Sequence, residues 1–183
     1  MLELSSPTLS VEEYLACEQK GDVRHEYVNG YVYALAGGSS RHNRISLNIA
    51  SHFLHLSQGL PCRIYQEGMK LRTEDNFCYP DVMVVCDKPE PDPFFETEPC
   101  VLVEVLSPST KSTDLREKLT AYKSLPSVQT YLIVEAERLV VRRFWVDEAR
   151  RWRQEDLTGD GDIPLPCLGG VLSLPQIYRG VFS

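Results

Sequence analysis

What the chain lacks narrows its possible roles. No apolar run approaches the roughly 20 residues needed to span a bilayer. Glu3, Glu12 and Glu13 stand where a secretory signal would be basic and then apolar. These features predict a soluble, cytoplasmic protein without a membrane partner. No Cys-x-x-Cys pair occurs among Cys17, Cys62, Cys78, Cys86, Cys100 and Cys167. That spacing disfavours a zinc site and predicts reduced, mostly buried thiols. An excess of positive charge is also missing. A formal net charge of -7 argues against coating nucleic acid through the net field, while leaving a local basic face or a nuclease open. There is no repeat period and no disorder-like composition, so the 183 residues are read as one domain, 1–183.

What is present centres on residues 79–122. Two Val-rich runs, Tyr79 to Cys86 and Cys100 to Leu106, read as buried strands, each with one carboxylate, Asp81 or Glu104. Pro89, Pro91, Pro93 and Pro99 exclude regular pairing in the segment between them, which predicts antiparallel neighbours joined by a long loop. If paired residue numbers sum to 185, Asp81 faces Glu104 on one side of the sheet. Opposed acids need protonation, a cationic side chain or a metal; otherwise they merely mark solvated strand ends.

Elsewhere the local signals are strong. Ser10 and Glu13 form an S-x-x-E capping box for a helix over 9–20, with Leu9 placed to staple onto Tyr14. Asn29-Gly30 predicts a tight hairpin pairing Val28 with Tyr31 and Glu26 with Tyr33. Glu26 then reads either as an exposed cross-strand residue near Arg24 or as a further acid for a site. A second helix runs from the Gly37–Ser40 turn to about Gln58, with Arg41, His42 and Arg44 in its first turn. Cations are unfavourable at that end of a helix, which suggests a phosphate-facing terminus, although a solvated polar face accounts for them equally. His52 and His55 fit a polar face better than a metal site. CRIYQEGMKLR reads as one strand, bulged at Gly68. Ser107-Pro108-Ser109-Thr110 breaks the ladder, and Ser112 or Thr113 caps a helix to about Leu125 that lines Asp114, Lys118 and Tyr122 on one face. Lys118 either pairs with Asp114 or is aimed at the acids. A hairpin over 128–146 and a strand over 151–157 follow. Arg138, Arg142, Arg143, Arg150, Arg151 and Arg153 form the densest basic region, read as a charged sheet edge in preference to a phosphate-meeting surface. Residues 159–170 read as loop, followed by a short closing helix.

In order, these elements resemble the PD-(D/E)XK nuclease superfamily. The motifs RHEYVNG, SSRHNR, YPD, VEVLSPST and DLREKLTAY more closely resemble the Uma-two-type family of restriction-endonuclease-like bacterial proteins. The resemblance implies an α/β (α+β) fold with a restriction-endonuclease-like core, a central mixed sheet flanked by helices, and additional β-hairpins. It implies Mg²⁺ or Mn²⁺ held by Asp81, Glu104, the carbonyl of Val105 and an additional acid, Glu26. Leu106 stands where the D/E-x-K lysine would follow Glu104, and the family pattern implies that Lys118 supplies that cation from the next helix. Asp81, Glu104, Lys118 and Glu26 are the expected catalytic residues, with His42, Arg41 and Tyr122 as candidate substrate contacts.

The implied activity is metal-dependent endonucleolytic hydrolysis, with DNA as the expected partner. A homodimer is a compatible assembly, because cutting two strands favours two sites. The competing reading, motivated by the missing D/E-x-K lysine and the acidic charge, is a catalytically inactive nuclease fold that binds nucleic acid or protein. A hydrolase of another phosphoester ranks third.

Overall fold

The capping box forms as the residues predict. Ser10 Oγ accepts from the Glu13 N–H at 3.2 Å and Glu13 Oε2 accepts from the Ser10 N–H at 2.8 Å, starting α1 (Val11–Glu18). The computed structural model describes residues 9–35, 37–74, 76–87, 92–106 and 112–182. The Ser107–Thr110 break, Pro89 and Pro91 lie outside these residues, as does the side chain of Asp114. The hairpin of β1 (His25–Val28) and β2 (Tyr31–Ala34) has the expected register, turning at Asn29 with φ 51° and Gly30 with φ 88°. Ser39 caps α2 (Ser40–Leu56) by accepting from the His42 N–H.

The run after α2 departs from expectation. It is two strands, β3 (Cys62–Gln66) and β4 (Lys70–Thr73), lying in different sheets. Glu67 (φ 41°) and Gly68 (φ 115°) turn the chain out of one sheet, a larger change than a bulge. The Tyr79–Cys86 run is strand only over β6 (Val82–Cys86), in the sheet of β3, and β5 (Asn76–Cys78), which precedes it, pairs in that of β4. The proline-broken segment still contributes a two-residue strand, β7 (Phe95–Glu96), parallel to β4. There follow β8 (Val101–Leu106), α3 (Ser112–Ser124), β9 (Thr130–Glu135), β10 (Val140–Val146) and β11 (Trp152–Thr158). The expected loop over 159–170 contains β12 (Asp162–Leu165) and a 3-10 turn (Pro166–Leu168); β12 pairs with β13 (Gly170–Ser173), and α4 (Leu174–Ile177) closes the described chain.

The fold is mixed α+β. A six-stranded sheet, ordered β11-β10-β9-β8-β6-β3, is antiparallel except for the parallel β8–β9 pair, and a five-stranded sheet is ordered β2-β1-β5-β4-β7. Helices flank the six-stranded sheet according to strand alternation. Val82, Val84, Val101, Val103 and Val105 pack with Ile45, Ile49 and Phe53 of α2, whereas Met83, Val85 and Leu102 pack with Leu115, Leu119 and Tyr122 of α3. Each large apolar side chain buried this way contributes about 1.5–3 kcal/mol. The β6–β8 register pairs Val82 with Val103 and Met83 with Leu102, so the numbers sum to 185 as expected. Continued by one residue, it sets Asp81 opposite Glu104. Among the described residues no helix is long and apolar enough to cross a membrane.

The thiol expectation is corrected. Cys62 and Cys86 are cross-strand partners and form a disulfide, as do Cys100 and Cys167, while Cys17 and Cys78 remain thiols. Local spacing does not detect pairs brought together by strand register and a distant turn.

Candidate active site

Three segments deliver the central acids. Glu26 comes from β1 of the five-stranded sheet, Asp81 from the step between β5 and β6, and Glu104 from β8. Tyr79-Pro80-Asp81 is therefore where the chain crosses between sheets, and the Tyr79 N–H donates to Glu26 Oε1 at 3.0 Å. Glu26 and Glu104 are only 5% and 8% exposed, so their charges require partners. The exposed reading of Glu26 is thus corrected: β1 turns this residue into the junction between the sheets.

Lys118 supplies a partner to both acids. Its Nζ lies 2.8 Å from Glu26 Oε1 and 3.3 Å from Glu104 Oε2. Even-numbered positions of β8 face α3, and Lys118 lies one helical turn before Tyr122, so both side chains reach Glu104. The Tyr122 hydroxyl donates to Glu104 Oε1 at 2.7 Å. Burial pushes the Glu104 carboxyl upward, to about 8, against the opposing pull of Lys118 and the Tyr122 hydrogen bond. Tyr122 is itself fully buried, and its hydroxyl holds Glu104 from within the core.

Asp81 is held on its other side. Oδ2 accepts the Val105 N–H at 2.6 Å and Oδ1 lies 3.1 Å from His42 Nε2. The hydrogen bond to Asp81 raises the His42 pKa above its usual value, against the opposing effect of burial. His42 Nδ1 is buried without a hydrogen-bond partner among the described residues, and Glu67 Oε1 is 3.9 Å away. Backbone contacts fix this region further. The Glu67 N–H donates to the Asp81 carbonyl at 3.1 Å, and Gln66 reaches the same carbonyl through Ser46, with bonds of 3.0 and 3.5 Å.

Arg41 lies apart from the cluster, paired with Glu137 and set over the Phe182 ring. Val105 is present through its N–H. Glu67 is the acid that sequence reasoning missed. The available signal was Gly68, since a glycine interrupting a strand beside an acid marks a sharp change in chain direction.

The donor set suits a hard divalent cation. Donor atoms of His42, Glu67 and Asp81 lie within 4.8 Å of one another, while Glu26 and Glu104 are joined to each other by Lys118. Burial favours the neutral form of Glu104, and a divalent ion bound through oxygen would favour its carboxylate instead.

Similarity to known proteins agrees with this architecture. The chain is 33% identical to an uncharacterized protein, slr1290, of Synechocystis sp., over 96% of this chain and 94% of the relative. A second uncharacterized Synechocystis protein, sll1609, is 29% identical over 87% of this chain and 93% of its own. The fold matches the crystal structure of a "putative nuclease belonging to DUF820" from Anabaena variabilis, with TM-score 0.78 and 18% identity, covering 95% of this chain and 99% of that one. Residues 11–175 match the model of the family Uma2, described as "Putative restriction endonuclease". On that match and the full-length relative, the chain belongs to the Uma2 family.

Proposed function

We propose that the protein is a metal-dependent endonuclease that hydrolyses phosphodiester bonds in DNA. The observation carrying this reading is Lys118: its ammonium lies within 3.3 Å of both Glu26 and Glu104, beside an Asp81 already fixed by His42 and the Val105 N–H. The family description, "Putative restriction endonuclease", supports the same chemistry, and the fold is shared with the "putative nuclease" of Anabaena. Asp81 and Glu104 would hold Mg²⁺ or Mn²⁺, with Glu26, Glu67 and the Val105 carbonyl as further donors. When bound, the ion supplies a lowered water pKa and positive charge at the phosphate.

The chain's own groups carry the remaining roles. His42 and the Val105 N–H fix Asp81, while Tyr122 and Lys118 fix Glu104, so the carboxylates are oriented before substrate arrives. Once Lys118 exchanges one carboxylate contact for the phosphate, its ammonium stabilises charge developing on the non-bridging oxygens. His42, hydrogen-bonded to Asp81 in the first turn of α2, would contact the phosphate. Water adds to phosphorus, one P–O bond breaks, and the departing oxygen receives a proton.

A second reading, an inactive nuclease fold used for binding, is motivated by the engagement of Lys118 with two carboxylates. Supercoiled and single-stranded DNA incubated with Mg²⁺ or Mn²⁺ separates the two. Wild type should cut, Asp81→Asn should not, and Lys118→Met should lose about 10²–10³-fold in rate, as when a preorganised donor is removed. No cutting by wild type, with DNA binding unchanged in Asp81→Asn and Lys118→Met, selects the binding module. Equal cutting by Asp81→Asn rejects the proposed site.

A further inference from the structure

Four sulfurs converge at the end of β6 and the start of β8, away from Asp81. Cys62 opens β3, Cys86 closes β6, Cys100 immediately precedes β8, and Cys167 lies in the 3-10 turn. The two disulfides they form make one cluster. Cys86 Sγ lies 3.8 Å from Cys100 Sγ, and the sulfurs of Cys86, Cys100 and Cys167 all lie within 4.8 Å of one another. Cys62 joins the group through its bond to Cys86, and the sulfurs of both residues approach the Cys167 carbonyl, at 3.9 and 3.8 Å.

We propose that these four cysteines form a thiophilic metal site for Zn²⁺, closed as two disulfides when oxidised and opened to the cation by reduction. With Zn–S bonds of about 2.3 Å, a tetrahedral site has sulfur–sulfur edges of about 3.8 Å. Cys86 and Cys100 already have that separation. All four ligands sit at strand ends or in a turn, where side-chain rotation can part the bonded sulfurs without breaking a central ladder. The surroundings are apolar, with Leu165 and Leu168 in the same core cluster, so the site would be dry and sulfur-only. Such a donor set selects zinc over the hard ions suited to Asp81 and Glu104. Cys62, Cys86 and Cys167 are only partly buried, which leaves a route for a reductant and an ion, whereas Cys100 is 6% exposed.

The chemistry balances. Each disulfide takes up two electrons and two protons, so two equivalents of a dithiol reductant yield four thiols and leave as two cyclic disulfides. Zinc then displaces thiol protons into solvent. The oxidised and metal-bound forms exclude each other because they use the same sulfurs. This site is independent of the nuclease reading.

The test uses the full chain, reduced with a dithiol, desalted without oxygen and titrated with Co²⁺ in excess Mg²⁺. The expected result is one Co²⁺ per chain, with thiolate charge-transfer and tetrahedral d–d bands, displaced by Zn²⁺ together with a rise in Tm. Cys167→Ser and Cys62→Ser should each weaken Co²⁺ binding by at least the roughly 10–100-fold that loss of an outer-shell partner costs. The unreduced protein should give no bands. Six titratable thiols after reduction, four more than before it, without thiolate bands would overturn the proposal, reducing the cluster to two cystines. Bands that survive both serine variants but disappear in Asp81→Asn would also overturn it, by assigning the metal to the carboxylates.

Discussion

A single lysine between two buried carboxylates is an unbalanced arrangement, and the imbalance is informative. Lys118 is 8% exposed and shared between Glu26 and Glu104, so its removal leaves two acids in a poorly solvated space. Breaking such a pair costs about 3–5 kcal/mol. Lys118→Met should therefore fall well below wild type in chemical denaturation at neutral pH, and adding Glu104→Gln should recover part of the loss. A double variant no more stable than Lys118→Met would show that the two groups are not coupled. Tyr122 acts through the same carboxylate. Tyr122→Phe should leave the chain folded while weakening Mn²⁺ binding by about 10–100-fold, as expected for a group that orients a ligand from behind. Titration calorimetry reads this directly, and unchanged affinity would remove Tyr122 from the site. Part of this was legible in the sequence. The strand alternation and the 185 register put Asp81 and Glu104 together, and four-residue spacing put Lys118 and Tyr122 on one helix face. The burial of Glu26 was not legible, because it depends on a contact between sheets that no local pattern encodes.

At the scale of elements, the start of α2 shows how a small residue can protect a site. A Cβ on Gly38 would meet His42 Nδ1 at 2.6 Å, and the ring could yield only by leaving its 3.1 Å contact with Asp81. Gly38 precedes the helix cap, so Gly38→Ala should leave the chain folded and cost no more than about 1.5–3 kcal/mol, the worth of a hydrogen bond to a charged group. Its nuclease activity should nevertheless fall toward that of His42→Ala. Wild-type activity in Gly38→Ala would mean that the imidazole position is not needed. Elements with their own punctuation were legible, including α1 through its capping box and the β1–β2 hairpin through Asn29-Gly30. Elements whose limits depend on sheet membership were not. Residues 62–73 alternate in a way compatible with one strand, yet Glu67 adopts φ 41° and the chain changes sheets there. Pro164 concealed β12, but a proline fits a two-stranded ribbon because its missing N–H can face outward.

At the scale of the whole molecule, the site is also a joint. Glu26 belongs to the five-stranded sheet, while Glu104 belongs to the six-stranded sheet against which Lys118 and α3 pack, so the ion pairs across Lys118 tie two layers together. The arginines of the β10–β11 hairpin are engaged by acids of their own edge. Arg142 pairs with Asp156, Arg143 with Glu155, and Arg151 and Arg153 with Asp147, which agrees with a charged sheet edge. A joint of this kind has a regional signature. Glu26→Gln removes one charge from the Lys118 contact and weakens acceptance from the Tyr79 N–H, while the β6–β8–β9 ladder retains its own core. Amide hydrogen exchange in the metal-free protein should accelerate at β1 and β5 by about tenfold for each 1.4 kcal/mol lost, while β8 and β9 remain near wild type. Equal acceleration throughout would show that the sheets open as one unit and that Lys118 does not join them. If metal binding reinforces the joint, saturating Mn²⁺ should slow exchange at β1 and β5 in wild type, with a smaller effect in Glu26→Gln. This comparison ties the acid contributed by the second sheet to ion binding without depending on catalytic turnover.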